Sequence, residues 1–128
     1  MSKILVVDDE PDVVELVRTI LEAEGHDVVT TTEGKRALGV MLADPPDLLV
    51  LDLMMPELDG FQVLKLMRMD RRTAGVPVVI LSARSQAQDQ IGGLQLQASA
   101  YVCKPFSPKD LLAEVRNLLA DRGGPANG

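Results

Sequence analysis

The sequence has few of the residue types on which many functional sites are built. Its 128 residues include one cysteine, one histidine, no tryptophan and only 2% aromatic side chains. One cysteine excludes an internal disulfide, and one histidine excludes histidine-rich metal sites. Scarce aromatic side chains argue against a platform for stacked nucleobases. Because Cys103 lies in the apolar stretch AYVC, we expect a buried, unreactive thiol.

The net charge and the short apolar runs argue against two further partners, nucleic acid and membranes. The formal net charge is −6, so the chain repels a phosphate backbone and direct nucleic-acid binding is not expected. No apolar run approaches the ~20 residues of a membrane helix. The N-terminus, MSKILVVDDE, lacks a secretory cleavage site. We therefore expect a cytoplasmic protein that does not bind membranes, with one domain at 1–120 and a flexible tail at 121–128.

Apolar runs alternate with helical patterns along the whole chain. The runs are rich in Val, Ile and Leu and are nearly continuous, which is typical of strands buried on both faces. They lie at 3–7, 27–31, 47–53, 76–81 and 100–104. Helical patterns follow them, beginning near residues 11, 35, 61, 86 and 108. Five strands and five helices in alternation predict an α/β domain with a doubly wound parallel sheet and helices on both faces.

Polar residues stand where these predicted strands end. Asp8 and Asp9 follow the first strand, Asp52 ends the third, Ser82 the fourth and Lys104 the fifth. Parallel strands place their carboxyl ends at one edge, where ligands of such folds bind. Singly, each residue has an ordinary role as a cap, a first-turn acid or a surface charge. Together they predict a shared site with three carboxylates, a hydroxyl and an ammonium group.

Three neighbouring carboxylates repel one another unless they take up protons or share a cation. An oxygen-rich set of this kind favours Mg²⁺ or Mn²⁺. An ionised aspartate needs no general base to attack phosphorus, only positioning and neutralisation of the phosphoryl charge. Lys104 and the cation supply that neutralisation, and Ser82 supplies a hydrogen bond. The residues thus predict an aspartyl-phosphate site on Asp52.

Four stretches also resemble a known family, in its order and spacing. They are ILVVDDEP, LVLDLMMPELDG, VVILSAR and KPFSPKDLLAEVRNLL. Over about residues 2–120 the chain resembles the receiver domain of two-component response regulators. It is most similar to receivers of winged-helix transcription regulators and to single-domain regulators. The resemblance implies the flavodoxin-like strand order 2-1-3-4-5.

The resemblance also implies roles at the metal site. The cation ligands map onto Asp8, Asp9, Asp52 and the backbone carbonyl of Met54, and Asp52 is the phosphoacceptor. Met54 and Arg84 occupy positions that tune the lifetime of the phosphate in the family.

Further implied roles concern catalysis and switching. Lys104 and Ser82 assist the phosphotransfer, and Ser82 and Tyr101 form the switch. The Lys104–Pro105 peptide bond is expected to be cis. The face formed by the fourth predicted helix, the fifth strand and the fifth predicted helix is expected to change on phosphorylation.

The implied partners are a sensor histidine kinase or phosphotransfer protein, and a downstream target or an output domain outside this chain. The domain is not expected to be an enzyme beyond its own phosphotransfer and slow dephosphorylation. Gln97–Tyr101 reads QASAY, where many relatives have Gly-Ala-Asp-Asp-Tyr. Without those aspartates we expect a monomer, and dimerisation on phosphorylation stays open.

Two alternatives to a phosphorylation switch remain. One is a pseudo-receiver that acts as a constitutive interaction module. The other is a phosphatase or a flavin protein on a similar fold. The phosphatase is disfavoured because Met54 stands where a second acid is usual, and the flavin protein because aromatic residues are few.

Overall fold

A computed structural model describes residues 2–52, 60–83 and 99–123, without the side chains of Phe61, Ser82, Ala83 and residues 121–123. Strands and helices alternate through these residues. The strands are β1 (Lys3–Val7), β2 (Asp27–Thr31), β3 (Leu48–Asp52), β4 (Val78–Ala83) and β5 (Ala100–Lys104). The helices are α1 (Pro11–Ala23), α2 (Gly34–Ala43), α3 (Gly60–Met69) and α4 (Pro108–Gly123).

The five strands form one parallel sheet in the order β2-β1-β3-β4-β5. This order confirms the prediction. The chain moves from β1 outward to β2 and then returns past β1 to β3, so the direction of winding reverses between β1 and β3. In open sheets of this kind, ligands bind where the order reverses, beyond the carboxyl ends of the strands.

Helices cover the sheet on both sides, as the continuous apolar runs predict. All five residues of β3 are buried. On one side the strands pack against α1 and α4 through Val17, Leu21, Leu111 and Val115. On the other side they pack against α2 and α3 through Ala37, Met41, Val63, Leu64 and Met67. The two cores hold the strand ends in fixed positions relative to one another.

Local features of the sequence mark the ends of α1 and the start of α4. Pro11 lies in the first turn of α1. Gly25 follows its end with φ +91°, a left-handed conformation that favours glycine. At α4, the Ser107 Oγ accepts a hydrogen bond from the Asp110 backbone N–H at 3.1 Å. This contact satisfies a backbone donor that the first helical turn leaves unpaired.

Several boundaries differ from the predicted ones. β4 begins at Val78 and not at residue 76, because the Val76 N–H bonds the Thr73 carbonyl and Pro77 has no N–H. β3 begins after Asp47, whose carboxylate accepts a hydrogen bond from the Lys3 backbone N–H at 2.8 Å. α4 continues to Gly123, three residues beyond the predicted domain boundary.

The helix predicted at 86–97 lies outside the described residues. The described helices include none that is both long enough and apolar enough to cross a membrane.

Candidate functional site

The described site residues meet at the carboxyl edge of the sheet. Asp8 follows the last residue of β1, Asp52 is the last residue of β3, and Lys104 is the last residue of β5. β1 and β3 are neighbours at the point where the winding reverses. The parallel register therefore brings together side chains that are far apart in the sequence, as predicted.

One ammonium group joins three carboxylates at this edge. The Lys104 Nζ lies 2.8 Å from Asp8 Oδ2, 3.1 Å from Glu10 Oε1 and 3.5 Å from Asp52 Oδ2. Opposite charges at these distances form ion pairs, and the partial burial of the cluster reduces their screening by salt. The lysine side chain thus provides positive charge beside Asp52.

The cluster is largely withdrawn from water. Asp8 is 0% exposed and Asp52 is 4% exposed, while the Lys104 side chain retains 19% exposure. Burial alone would lower the pKa of Lys104. The hydrogen bond to Asp8, the charges of Asp52 and Asp8, and the hydrogen bond to Glu10 outweigh it and raise that pKa. Lys104 is therefore a permanent cation at neutral pH.

The backbone holds Asp8 in a fixed orientation. Its Oδ1 accepts a hydrogen bond from the Glu10 backbone N–H at 2.9 Å, which leaves Oδ2 directed at Lys104. The turn that follows leads directly into α1, which begins at Pro11. One carboxylate oxygen thus fixes the loop and the other belongs to the site.

The acids after β1 have the composition and spacing of a cation site. Carboxylate oxygens of Asp8, Asp9 and Glu10 lie within 4.8 Å of one another, with Asp8 buried and the other two exposed. Oxygen donors of this type suit Mg²⁺ or Mn²⁺, whose remaining ligands are commonly waters. The predicted ligands Asp8 and Asp9 fit such an ion, and Asp52 joins Asp8 through their shared contact with Lys104.

Glu10 is a member of the site that the sequence analysis missed. Its carboxylate bonds Lys104 and lies beside both predicted metal ligands. The run Asp8-Asp9-Glu10 offered a signal, since three consecutive acids follow a buried strand. All three acids also suit the acidic first turn of α1, so the run by itself does not assign Glu10 to the site.

The remaining predicted site residues are only partly described by the structure. The Lys104–Pro105 peptide bond is cis, as predicted. Ser82 lies in β4 opposite Cys103, one residue before the strand ends, and its side chain is not described. Met54 and Arg84 lie outside the described residues. Their predicted roles stay predictions.

The prediction that Cys103 is buried is wrong. The residue is only half-buried. It lies on β5, which is one of the two edge strands of the sheet. A strand at the edge leaves more of its side chains in contact with solvent than a central strand does.

Tyr101 lies on the same strand and packs against the core on the α2 and α3 side. Its hydroxyl oxygen is buried and has no hydrogen-bond partner among the described residues. Burial raises the pKa of the phenol because the charged phenolate would lose hydration.

The titration of Tyr101 can be observed directly, because it is the only tyrosine and the chain has no tryptophan. We expect the phenolate absorbance of the folded protein to appear above the ordinary pKa of ~10 and to return to it in denaturant. A raised folded pKa stabilises the fold below the unfolded pKa, and this contribution disappears as the pH rises through the folded value. Equal midpoints in folded and unfolded protein would contradict the burial of this group.

Comparisons with known proteins agree with this geometry. The family model for the response regulator receiver domain matches residues 4–116. The response regulator SaeR of Staphylococcus aureus (strain USA300) is 44% identical over 119 residues, which are 93% of this chain and 51% of SaeR. The chain therefore spans about half the length of the curated relatives it matches.

Solved structures of receiver domains have the same fold. The receiver domain of the Francisella response regulator 1452 is 34% identical with a TM-score of 0.85, over 95% of this chain and 99% of that one. The chemotaxis response regulator CheY4 of Vibrio cholerae is 28% identical with a TM-score of 0.85, over 92% and 98% of the two chains. The chain belongs to the response regulator receiver domain family of two-component signalling.

Proposed function

We propose that this domain is a signalling switch that accepts a phosphoryl group on Asp52. The observation that carries the proposal is the position of Asp52 at the end of a fully buried strand, 3.5 Å from the Lys104 ammonium group. The strand holds the carboxylate rigidly, and the lysine offers a positive charge for phosphoryl oxygens. Positioning and charge neutralisation are the main requirements of phosphoryl transfer.

The proposed donor is a phosphohistidine of a sensor histidine kinase or a phosphotransfer protein. A carboxylate oxygen of Asp52 attacks phosphorus, the nitrogen–phosphorus bond breaks, and its electron pair stays on the imidazole. A bound Mg²⁺ or Mn²⁺ would neutralise charge on the transferred oxygens. Its proposed ligands are Asp8, Asp9, Asp52 and the backbone carbonyl of Met54.

Lys104 then exchanges partners. Its contacts with the carboxylates of Asp8 and Glu10 weaken, and its ammonium group binds one oxygen of the phosphoryl group. The Ser82 hydroxyl donates a hydrogen bond to a second phosphoryl oxygen. Tyr101 moves as Ser82 moves, and the face built on β5, α4 and the predicted helix at 86–97 changes with it. A local change of charge biases a two-state element in this way. Hydrolysis of the aspartyl phosphate resets the switch.

In this proposal the domain is a phosphoacceptor and not an enzyme that turns over an external substrate. It acts in the cytoplasm and controls a downstream protein or an output domain outside this chain. A constitutive pseudo-receiver is not favoured, because Asp52, Lys104 and the acids after β1 form one connected cluster.

Beryllofluoride, a mimic of the phosphoryl group, tests the proposal with Mg²⁺ present. We expect Tyr101 fluorescence to change in the wild type on addition of both, because the hydroxyl leaves its present environment. The Asp52→Asn variant, which lacks the carboxylate that beryllofluoride binds, serves as the control. The same fluorescence change in that variant, or none in the wild type, would refute the switch.

The kinase is proposed to dock on the apolar surface beside the site. A cavity of 370 Å³ there is lined by Glu10, Val13, Leu16, Lys104 and Phe106, among others. Leu16 is 49% exposed on α1. An exposed apolar side chain next to a reactive group suits contact with the protein that delivers the phosphoryl group.

Leu16→Ala should therefore slow phosphotransfer from the histidine kinase several-fold while leaving phosphorylation by acetyl phosphate unchanged, because the small donor needs no docking surface. Leu66→Ala is the matched control, since Leu66 is 44% exposed on α3, on the opposite side of the sheet. Transfer rates from both donors check this. Equal effects of the two variants on the kinase reaction would place the docking surface elsewhere.

A further inference from the structure

The outer edge of the sheet carries a groove that the phosphorylation chemistry does not use. A cavity of 310 Å³ lies between β5 and α4. Its lining includes two residues of β5, the residue just after that strand and three residues from the first turns of α4: Tyr101, Cys103, Pro105, Asp110, Ala113 and Glu114. We name these six residues the acidic groove. The volume is within the ~300–1,000 Å³ of known ligand pockets.

Among the described residues, no cation compensates the negative charge of the groove. Asp110 and Glu114 are four residues apart on α4, so they lie on one face of the helix. Neither side chain forms a salt bridge with any residue in the described ranges. The neighbouring cations of α4, Lys109 and Arg116, do not line the cavity, and Arg116 instead pairs with Glu24.

The groove is also linked to the site through one strand. Lys104, the cation of the site, lies between Cys103 and Pro105 of the groove lining. Tyr101 lines the groove while its hydroxyl lacks a hydrogen-bond partner among the described residues. A displacement of Tyr101 therefore alters the lining of the groove, and a displacement of the Lys104 backbone shifts the two lining residues beside it.

We propose that the acidic groove binds an arginine- or lysine-bearing segment of a protein partner. The inference rests on the proposed function, because it names the class of partner that responds to the β5 and α4 face. Basic side chains complement Asp110 and Glu114, and their stems can lie along the apolar Pro105 and Ala113.

Charge disfavours two other occupants. A symmetric contact between two copies places the same patch against itself, so four carboxylates would face one another across the groove. Like charges brought together in this way weaken association. Nucleic acid is repelled for the same reason. Protection of Cys103 by a second copy of the chain is an outcome that the test distinguishes.

Cys103 allows occupancy of the groove to be measured, because it is the only cysteine in the chain and lines the cavity. The probe is an acetylated, amidated peptide of alternating arginine and leucine, and its comparison peptide has glutamate in place of arginine. We expect the arginine peptide to slow the reaction of Cys103 with a small thiol reagent several-fold. The glutamate peptide should have no effect.

A charge-matched pair of double variants separates the groove from general electrostatic attraction. Asp110→Asn with Glu114→Gln should abolish the protection of Cys103. Glu22→Gln with Asp27→Asn changes the net charge equally at exposed positions of α1 and β2 and should retain it. Equal protection in both double variants overturns the proposal, as does no protection in the wild type or protection by a second copy of the chain.

Two measurements on the same samples separate binding at the acidic groove from phosphorylation of Asp52. The thiol reaction is measured on unphosphorylated protein, and phosphorylation of the same samples by acetyl phosphate is measured by mass. Absent protection with intact phosphorylation overturns the groove alone. Intact protection with no phosphorylation overturns the phosphoacceptor role of Asp52 alone.

Discussion

Asp52→Asn will reduce phosphorylation by acetyl phosphate and by a histidine kinase to background. The substitution keeps the size of the side chain, but an amide oxygen is a much weaker nucleophile than a carboxylate. One other described acid, Asp8, is also buried at a strand end and contacts Lys104. Asp8 holds a backbone turn through one of its two oxygens. Intact-mass measurement after incubation with the donor and Mg²⁺ checks the result.

Asp47→Asn is the control for this experiment. Asp47 flanks the opposite end of β3, and its carboxylate accepts the Lys3 backbone N–H at 2.8 Å. An asparagine oxygen can accept the same bond, so the fold is retained and phosphorylation should proceed as in the wild type. A phosphorylated Asp52→Asn protein would show that the phosphoryl group belongs to another residue.

Lys104→Met will destabilise the metal-free protein by about 3 kcal/mol, the cost of removing one partner from a buried ion pair. Asp8 and Asp52 would remain buried without their shared cation. The loss should be smaller with Mg²⁺ present, because the ion binds the folded carboxylates and replaces part of the missing charge. Urea unfolding with chelator and with Mg²⁺ measures both quantities.

Lys3→Met gives the matched comparison. Lys3 is the first residue of β1, at the end of the sheet opposite the site, and forms an ion pair with Asp44. Asp44 is 74% exposed, so water screens that pair and its loss should cost less than ~1 kcal/mol. The loss of stability caused by Lys3→Met should be the same with chelator and with Mg²⁺. Equal losses in the two variants, or no added Mg²⁺ response in Lys104→Met, would contradict a buried charge cluster at the site.

The sequence was sufficient for the sheet and for the meeting of Asp8, Asp52 and Lys104 at one edge of it. Continuous Val, Ile and Leu runs predicted strands covered on both faces, and β3 is buried at every residue. Because parallel strands end at one edge, the sequence alone places Asp8, Asp52 and Lys104 together. The resemblance to receiver domains added the strand order and the cis peptide bond, both of which the structure has.

Details that depend on distant contacts were not predictable. The role of Glu10 depends on Lys104, which lies 94 residues away in the sequence. The start of β4 depends on which partner the Val76 N–H selects, and local pattern alone does not specify it. The exposure of Cys103 follows from the edge position of β5 and not from the apolar stretch around it.

The most direct measurement is the location of the phosphoryl group in the wild-type protein. The protein is incubated with acetyl phosphate and Mg²⁺, digested at acidic pH and analysed by tandem mass spectrometry, with a chelator-treated sample alongside. The account predicts a single phosphoryl group, on Asp52, and little or none in the chelated sample. A phosphoryl group on a different residue, or an Asp52 that stays unmodified with donor and metal present, would contradict it.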